Sequence, residues 1–186
     1  MNVPDNAVLL LIDVQKGLDE PVWGTRNNPG AEANMVRLLE AWRTHNRPVI
    51  HIQHMSQRPD SPLHPAHPGN AIKNVVKPRP GEPLIQKQVN SAFIGTDLEQ
   101  HLREQGCDTL IIVGLTTEHC VSTTTRMAGN LGFHVVLVAD APASFATVGH
   151  DGRRFTADEV HALSLATLNQ EFATVVETER LLQSLA

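Results

Sequence analysis

The sequence predicts an α/β protein, a three-layer α/β/α sandwich around a doubly wound, mainly parallel sheet of six strands. Short apolar runs rich in β-branched residues alternate along the chain with segments that carry apolar residues at helical spacing. Continuously apolar strands are typical of sheets covered on both faces, and their alternation with helices is typical of parallel sheets. The length of 186 residues suits a single domain spanning residues 1–186, and no internal repeat or linker interrupts it.

Six runs predict the strands in chain order. The first run, residues 7–13, is almost wholly aliphatic and ends in an aspartate, and the fourth, residues 108–115, contains the sequence Leu-Ile-Ile-Val-Gly. Both are too short and too continuously apolar for an amphipathic surface helix. The other four strands are predicted at residues 48–54, 83–88, 134–140 and 173–177.

Helical spacing and capping patterns predict the helices. The apolar residues of the segment 31–45 fall on one helical face, which predicts a helix packed against the sheet. Two capping-box patterns, Thr96 with Glu99 and Thr156 with Glu159, predict helices ending near Gln105 and Asn169. Shorter helices are predicted at residues 121–130 and 179–185.

Composition excludes several classes of function. The chain is 41% hydrophobic and 19% charged, with a formal net charge of −5 and no cluster of Lys and Arg. This balance disfavours nucleic acid or an anionic membrane as the main partner. No apolar run approaches the roughly 20 residues of a membrane span, and the first residues lack the basic region of a signal peptide. Two cysteines give no disulfide framework, so we expect a cytoplasmic location.

One segment departs from the alternation of strands and helices. Residues 58–83 contain seven prolines and two histidines without clear periodicity. A long segment of this kind inside a compact domain is commonly a functional loop. A lid, a pocket wall and a rigid surface excursion are all compatible with the pattern.

The region around Cys120 indicates a reaction class. A predicted strand, a short polar stretch and then Cys120 lead into the helix predicted at 121–130. A helix N-terminus carries partial positive charge, and a cysteine placed there tends to have a lowered pKa and a nucleophilic thiolate. Taken alone, Cys120 is more often a buried inert thiol, and we expect Cys107, at a helix-to-strand turn, to be one.

Two further polar side chains are predicted beside Cys120. Asp13 ends the first strand, Lys87 ends the third, and Cys120 follows the fourth. Ligands of open parallel sheets bind beyond the carboxyl ends of the strands, so these three residues can meet at one place. Each alone has a commoner structural role, as a cap, a solvated lysine or a core thiol, but their convergence favours a catalytic site.

The histidines are weaker candidates. His119 adjoins Cys120, but adjacent residues of a helix point about 100° apart, so Asp13 is the better general base. The histidines at positions 51, 54, 64 and 67 lack the spacing of a metal site, and His51 and His54 point to opposite faces of a strand. We therefore predict no metal, and we expect His54 to line the pocket.

With these residues assembled, the chain resembles the isochorismatase-like cysteine hydrolases over nearly its whole length. The first matching motif is Leu-Leu-Ile-Asp-Val-Gln at residues 10–15. The second is Lys87 followed by Asn-Ser-Ala-Phe at 90–93 and Thr-Asp-Leu at 96–98. The third is Val-Gly-Leu-Thr-Thr-Glu-His-Cys-Val at 113–121, followed by the strand at 132–141. Three ordered motifs make the resemblance specific.

The resemblance implies a catalytic triad of Asp13, Lys87 and Cys120. It also implies the strand order 3-2-1-4-5-6, a cis peptide between Leu115 and Thr116, and an oxyanion hole formed by the backbone N–H groups of Thr116 and Cys120. No cofactor is implied, and a homo-oligomer, a dimer or larger, is expected. The nicotinamidase branch carries an Asp and two His around a metal where this chain has Gln-His-Met-Ser at 53–56, so that metal is not carried over.

These observations predict a hydrolase that cleaves the C–N bond of a small amide or imide through a thioester. One alternative is an isochorismatase-type vinyl-ether hydrolase that uses the Asp without the thiol, and another is a non-catalytic ligand-binding relative. The substrate pocket is expected to draw on four residues: Trp23, His54, Phe93 and Phe145. Arg26 or Arg79 could bind a carboxylate, although a surface role is the more common one for either.

Overall fold

The parallel sheet is present in the computed structural model, which describes residues 3–185. Its strands are β1 (Val8–Ile12), β2 (Val49–His54), β3 (Leu84–Lys87), β4 (Thr109–Leu115), β5 (His134–Ala143) and β8 (Thr174–Val176). The spatial order is β3-β2-β1-β4-β5-β8, and every neighbouring pair is parallel. This confirms the predicted order, in which β8 is the sixth strand. A small antiparallel pair, β6 (Thr147–Val148) and β7 (Arg154–Phe155), was not predicted.

Helices cover both faces of the sheet. They are α1 (Ala31–Thr44), α2 (Leu98–Glu104), α3 (Ser122–Asn130), α4 (Ala157–Leu168) and α5 (Thr178–Gln183). Alternate residues of the central strands point to opposite faces. Leu9 and Leu11 of β1 therefore pack in one core with α1 and α5, whereas Leu10 and Ile12 pack in the second core with α2, α3 and α4. The three predicted layers are thus present.

The two predicted capping boxes have different outcomes. At α4 both bonds form, because the Glu159 N–H donates to Thr156 Oγ1 and the Thr156 N–H donates to the Glu159 carboxylate. At Thr96 the predicted helix is present as α2, but the capping box does not form. The Thr96 hydroxyl donates to the Ala92 carbonyl oxygen, and α2 begins only at Leu98 without a side-chain cap. The preceding turn offers Thr96 an acceptor that the sequence pattern does not show.

Gly114 allows the two central strands to approach closely at the end that carries the site. It has φ of 128°, and a Cβ added there would lie 2.1 Å from the Ile12 carbonyl oxygen. No L-residue with a side chain fits this position without displacing the backbone. The glycine therefore brings the end of β4 against the residue that precedes Asp13.

The proline-rich segment 58–83 is folded onto the end of β2. It contains two short 3₁₀ turns, Pro68–Asn70 and Asn74–Val76. Asn70 is buried, and its side chain donates to the carbonyl oxygens of His54 and Leu63. Gln15 also donates to the carbonyl oxygens of His54 and Asn70. These bonds attach the segment to the edge of the sheet where the site residues lie.

Within residues 3–185, none of the helices has the length and apolar character needed to cross a membrane.

Candidate active site

Asp13 and Lys87 form a buried ion pair at the carboxyl edge of the sheet. Asp13 follows β1 with φ of 51°, a left-handed conformation that Asp tolerates better than most residues. Lys87 ends β3, and its Nζ donates to Asp13 Oδ2 at 2.6 Å. Both side chains are 2% exposed or less, so Lys87 does not have the solvent-exposed position that is usual for a lysine. Strands β1 and β3 are separated by β2, and only the folded sheet brings these residues together.

Cys120 lies beside this pair. The Cys120 Sγ, an Asp13 carboxylate oxygen and a His54 ring nitrogen lie within 4.8 Å of one another. The residue is not on the first turn of a regular α-helix, as the sequence suggested. It lies in a π-helical turn, Thr117–Val121, that precedes α3. Such turns are rare and occur frequently at functional sites.

The pKa of the Cys120 thiol is shifted in the direction opposite to the one expected. Burial raises this pKa above its ordinary value, and the neighbouring Asp13 carboxylate raises it further, whereas Lys87 lowers it by a smaller amount. The thiol is therefore protonated at neutral pH in the free protein, and a thiolate forms only when a base accepts the proton.

His54 is held in one tautomer by Lys87. The Lys87 ammonium lies 3.1 Å from His54 Nδ1. An ammonium group can only donate, so Nδ1 is the acceptor and the ring proton is on Nε2. Burial and the Lys87 charge lower the pKa of this imidazole, which keeps it neutral. His54 therefore offers a single N–H donor in the wall of the cavity beside Cys120.

Asp13, His54 and Cys120 also form a group with the donor types of a metal site. The Lys87 ammonium, however, already contacts Asp13 and His54. A divalent cation bound to the same two side chains would lie against this positive charge, so the residues present do not fit a metal. Two of the other histidines that were considered for a metal site make separate contacts. His51 of β2 pairs with Glu82, and His67 lies 3.6 Å from Glu20.

The turn that carries Cys120 is attached to α4. The peptide bond between Leu115 and Thr116 is cis, as the resemblance implies, and the π-helical turn begins directly after it. The Thr117 hydroxyl lies 2.8 Å from Nδ1 of His161 on α4, and His161 Nε2 lies 3.0 Å from the Ala139 carbonyl oxygen. Since a carbonyl oxygen only accepts, Nε2 carries the proton and Thr117 donates to Nδ1. His161, which the sequence analysis did not identify, thus positions the turn.

A cavity of about 700 Å³ opens above these residues. Its lining includes Cys120, His54, Trp23 and Phe145, and the two aromatic rings are stacked with centroids 6.1 Å apart. Phe93, in contrast, does not line this cavity, because its ring stacks on Phe133 in the core beneath α2 and α3. The segment 58–83 contributes wall residues, which are Arg58, Ser61 and Leu63.

The charged residues Arg26, Arg79 and Glu118 have different outcomes. Arg26 is not a surface residue, since its side chain is 16% exposed and forms a bidentate pair with Glu32. Arg79 is exposed. Glu118, two residues before Cys120, lines the cavity and was missed. Its only sequence signal is its place inside the nucleophile motif.

Cys107 has the surroundings of an inert thiol. It is 3% exposed, and its Sγ lies 3.2 Å from the Thr109 carbonyl oxygen. Burial raises the pKa of this thiol.

The fold and the buried polar site define an α/β protein with its functional centre at the carboxyl ends of parallel strands, and the comparisons with known proteins agree. The Isochorismatase domain family matches residues 7–180. The isochorismatase family protein YrdC of Bacillus subtilis (strain 168) is 48% identical over 178 residues, which cover 96% of this chain and 95% of YrdC. A solved isochorismatase-family structure from Chromobacterium violaceum ATCC 12472 superposes with a TM-score of 0.96 at 48% identity, covering 100% of this chain and 96% of that one.

A more distant relative has a named activity. The streptothricin hydrolase of Streptomyces noursei is 34% identical over 140 residues, which cover 74% of this chain and 49% of that enzyme. The chain belongs to the isochorismatase family, whose members are hydrolases.

Proposed function

We propose that this protein is a cysteine hydrolase that cleaves a C–N bond of a small amide or imide through a thioester on Cys120. The observation that carries the proposal is the asymmetry of the Asp13 carboxylate. Its Oδ2 accepts a hydrogen bond from Lys87, whereas its Oδ1 is buried and has no hydrogen-bond partner among residues 3–185. A buried carboxylate oxygen without a donor is costly, and the thiol beside it is a proton source.

Acylation begins when Asp13 accepts the proton of Cys120. The thiolate attacks the carbonyl carbon, and the C=O bond opens to a tetrahedral oxyanion held by the N–H groups of Thr116 and Cys120. Asp13 then gives its proton to the leaving nitrogen as the C–N bond breaks. Lys87 keeps Asp13 in place throughout, and His54 donates through Nε2 to an oxygen or nitrogen acceptor of the substrate.

Deacylation reverses the roles around a water molecule. Asp13 accepts a proton from the water as its oxygen attacks the thioester carbon. The second oxyanion collapses, the C–S bond breaks, and Cys120 recovers its proton from Asp13. An amide gives a carboxylic acid and an amine or ammonia, an imide gives a carboxylic acid and an amide, and no redox step or cofactor enters the balance.

The test is the substitution Cys120→Ala, assayed with a panel of small amides and imides. Removal of the nucleophile is expected to reduce turnover by at least about 10³-fold. Cys107→Ala removes a buried thiol outside the cavity and serves as the matched control, which is expected to keep its turnover. Acid quenching of the wild-type enzyme during turnover should give an acylated peptide containing Cys120. Substantial amide hydrolysis by Cys120→Ala would exclude covalent catalysis.

The same variants separate the two alternative functions. A vinyl-ether hydrolase that uses Asp13 as the acid would keep much of its activity in Cys120→Ala and lose it in Asp13→Asn. A non-catalytic relative would turn over neither amides nor vinyl ethers. The homo-oligomer and the cytoplasmic location stay predictions, which gel filtration and cell fractionation would address.

A further inference from the structure

Glu118 places a negative charge in the wall of the catalytic cavity without a cation to balance it. Its Oε2 is buried and has no hydrogen-bond partner among the described residues. Its side chain is 17% exposed, and the nearest ionisable group within 4.0 Å is the His119 imidazole, which lies at that limit and is itself 69% exposed. Solvent therefore weakens the interaction with His119.

The other charges around the cavity are already paired. Lys87 is bound to Asp13 at 2.6 Å, so its charge is balanced inside the site. Arg58 at the rim is 79% exposed and pairs with Asp60. His161, which packs behind the turn, is kept neutral because burial lowers its pKa. Of the charged groups that line the cavity, the Glu118 carboxylate is thus the one left without compensation.

Much of the remaining wall of this cavity is apolar. Leu18, Trp23, Leu115, Phe145 and Val160 line the same cavity. Apolar walls exclude water, and a carboxylate in such surroundings interacts more strongly with a positive group than it would at the surface. A substrate that brought a second negative charge would be repelled.

Resting on the proposed amide hydrolysis, we infer that the substrate carries a positively charged nitrogen, an ammonium or guanidinium group, which Glu118 binds while the scissile carbonyl lies at Cys120. The cavity volume of about 700 Å³ accommodates a short apolar linker between the two ends of such a molecule. Charge-assisted hydrogen bonds are about twice as strong as neutral ones, which makes the cationic end the main determinant of selectivity.

Binding tests this inference without any need for turnover. Calorimetry would compare pentylammonium with pentanol, two probes of equal length that differ in charge. Wild-type protein is expected to bind pentylammonium about tenfold more tightly, and Glu118→Gln, which keeps the shape of the side chain, should lose that preference. Glu40→Gln removes an equal charge from an exposed position on α1 and should keep it.

Two results would overturn the inference. One is an absence of pentylammonium binding or an affinity equal to that of pentanol. The other is a preference for pentylammonium that persists in Glu118→Gln, which would assign it to another charge.

A turnover assay separates this inference from the proposed function. The wild-type enzyme is expected to hydrolyse δ-aminovaleramide with a higher kcat/KM than hexanamide, mainly through a lower KM. If neither amide is cleaved, the proposed function fails in this assay and calorimetry still decides the cationic site. If both amides are cleaved with equal kcat/KM, amide hydrolysis stands and the role of Glu118 is excluded.

Discussion

Two neighbouring cavities of this protein differ in the hydrogen bonding of the carboxylates that line them. The cavity beside Cys120 contains Asp13 and Glu118, each with a buried carboxylate oxygen that lacks a hydrogen-bond partner among residues 3–185. The adjacent cavity, also about 700 Å³, is lined by Arg26, Glu32 and Lys73. There, Glu32 accepts hydrogen bonds from both Arg26 and Lys73.

Leu18 and Phe145 line both cavities, so the two regions share a wall. The paired charges link four segments of the chain. Arg26 and Lys73 each pair with Glu32 on the first turn of α1 and with Asp19 of the Lys16–Asp19 turn. We interpret this cluster as the support that holds the shared wall. In the cavity beside Cys120, two carboxylate oxygens are left to accept protons or ligands, whereas the mutual pairing around Glu32 supports the shared wall.

The largest expected effect comes from breaking the ion pair between Asp13 and Lys87. Lys87→Met leaves Asp13 buried without its cation, so turnover should fall by about 10³-fold and stability by about 3 kcal/mol. Adding Asp13→Asn removes the uncompensated charge, so the double variant should regain stability in urea unfolding and stay inactive. Recovery of activity together with stability would contradict the catalytic assignment.

Substitutions in the cluster of Arg26, Glu32 and Lys73 should change the stability of the protein and not its catalytic activity. Burial opposes ionisation of Glu32, but hydrogen bonds from Arg26 and Lys73 outweigh it and lower the pKa from 4.5 to about 2. A depression of this size corresponds to roughly 3 kcal/mol of stability, which is present above the unfolded pKa and lost as pH falls toward the folded one. Glu32→Gln should therefore destabilise the protein near pH 7 by about that amount.

The pH dependence of that variant provides its own check. Because Gln does not titrate, the difference in free energy of unfolding between wild type and Glu32→Gln should shrink by more than half by about pH 3. Glu179→Gln removes a carboxylate from an exposed pair with Arg37 and should leave stability nearly unchanged. A difference that stays constant with pH would show that the cluster does not act through the charge of Glu32.

The smallest expected effect, about tenfold, concerns thiol reactivity and has opposite signs in two variants. Asp13 raises the pKa of the Cys120 thiol and Lys87 lowers it. Asp13→Asn should therefore speed alkylation of Cys120 by iodoacetamide near pH 7 by about tenfold while turnover falls, and Lys87→Met should slow it. Peptide mass spectrometry resolves Cys120 from Cys107, which serves as the internal control. Equal rates in all three proteins would mean that neither partner acts on the thiol.

The sheet was predictable because local patterns carry it. The continuously aliphatic runs at 7–13 and 108–115 can bury all their side chains only as strands of a sheet that is covered on both faces. The carboxyl ends of these parallel strands then lie at the same edge of the sheet. Asp13, Lys87 and Cys120 were found in this way before any distance was known. The three motifs that resemble the family added the strand order and the cis peptide at Leu115–Thr116.

Other features depended on contacts that the local sequence patterns do not specify. Thr96 has the residues of a capping box, but its hydroxyl donates to the Ala92 carbonyl oxygen and accepts from the Leu98 N–H rather than from the Glu99 N–H. Phe93 adjoins a site motif, yet its ring packs on Phe133. Arg26 was expected at the surface, and its bidentate pair with Glu32 draws it inward. In each case the competing partner was not visible in the local sequence.

The sequence by itself determined the fold class and the three residues that converge at the sheet edge, because hydrophobic periodicity and parallel-strand geometry are local rules applied repeatedly. The order of the strands was implied by the resemblance to the family. Only the tertiary structure decided the electrostatic state of the site. It placed Cys120 in a π-helical turn where burial raises the thiol pKa, set the tautomer of His54 through Lys87, and left oxygens of Asp13 and Glu118 without partners. Burial and pairing depend on which distant groups surround an atom, and that is a property of the folded chain.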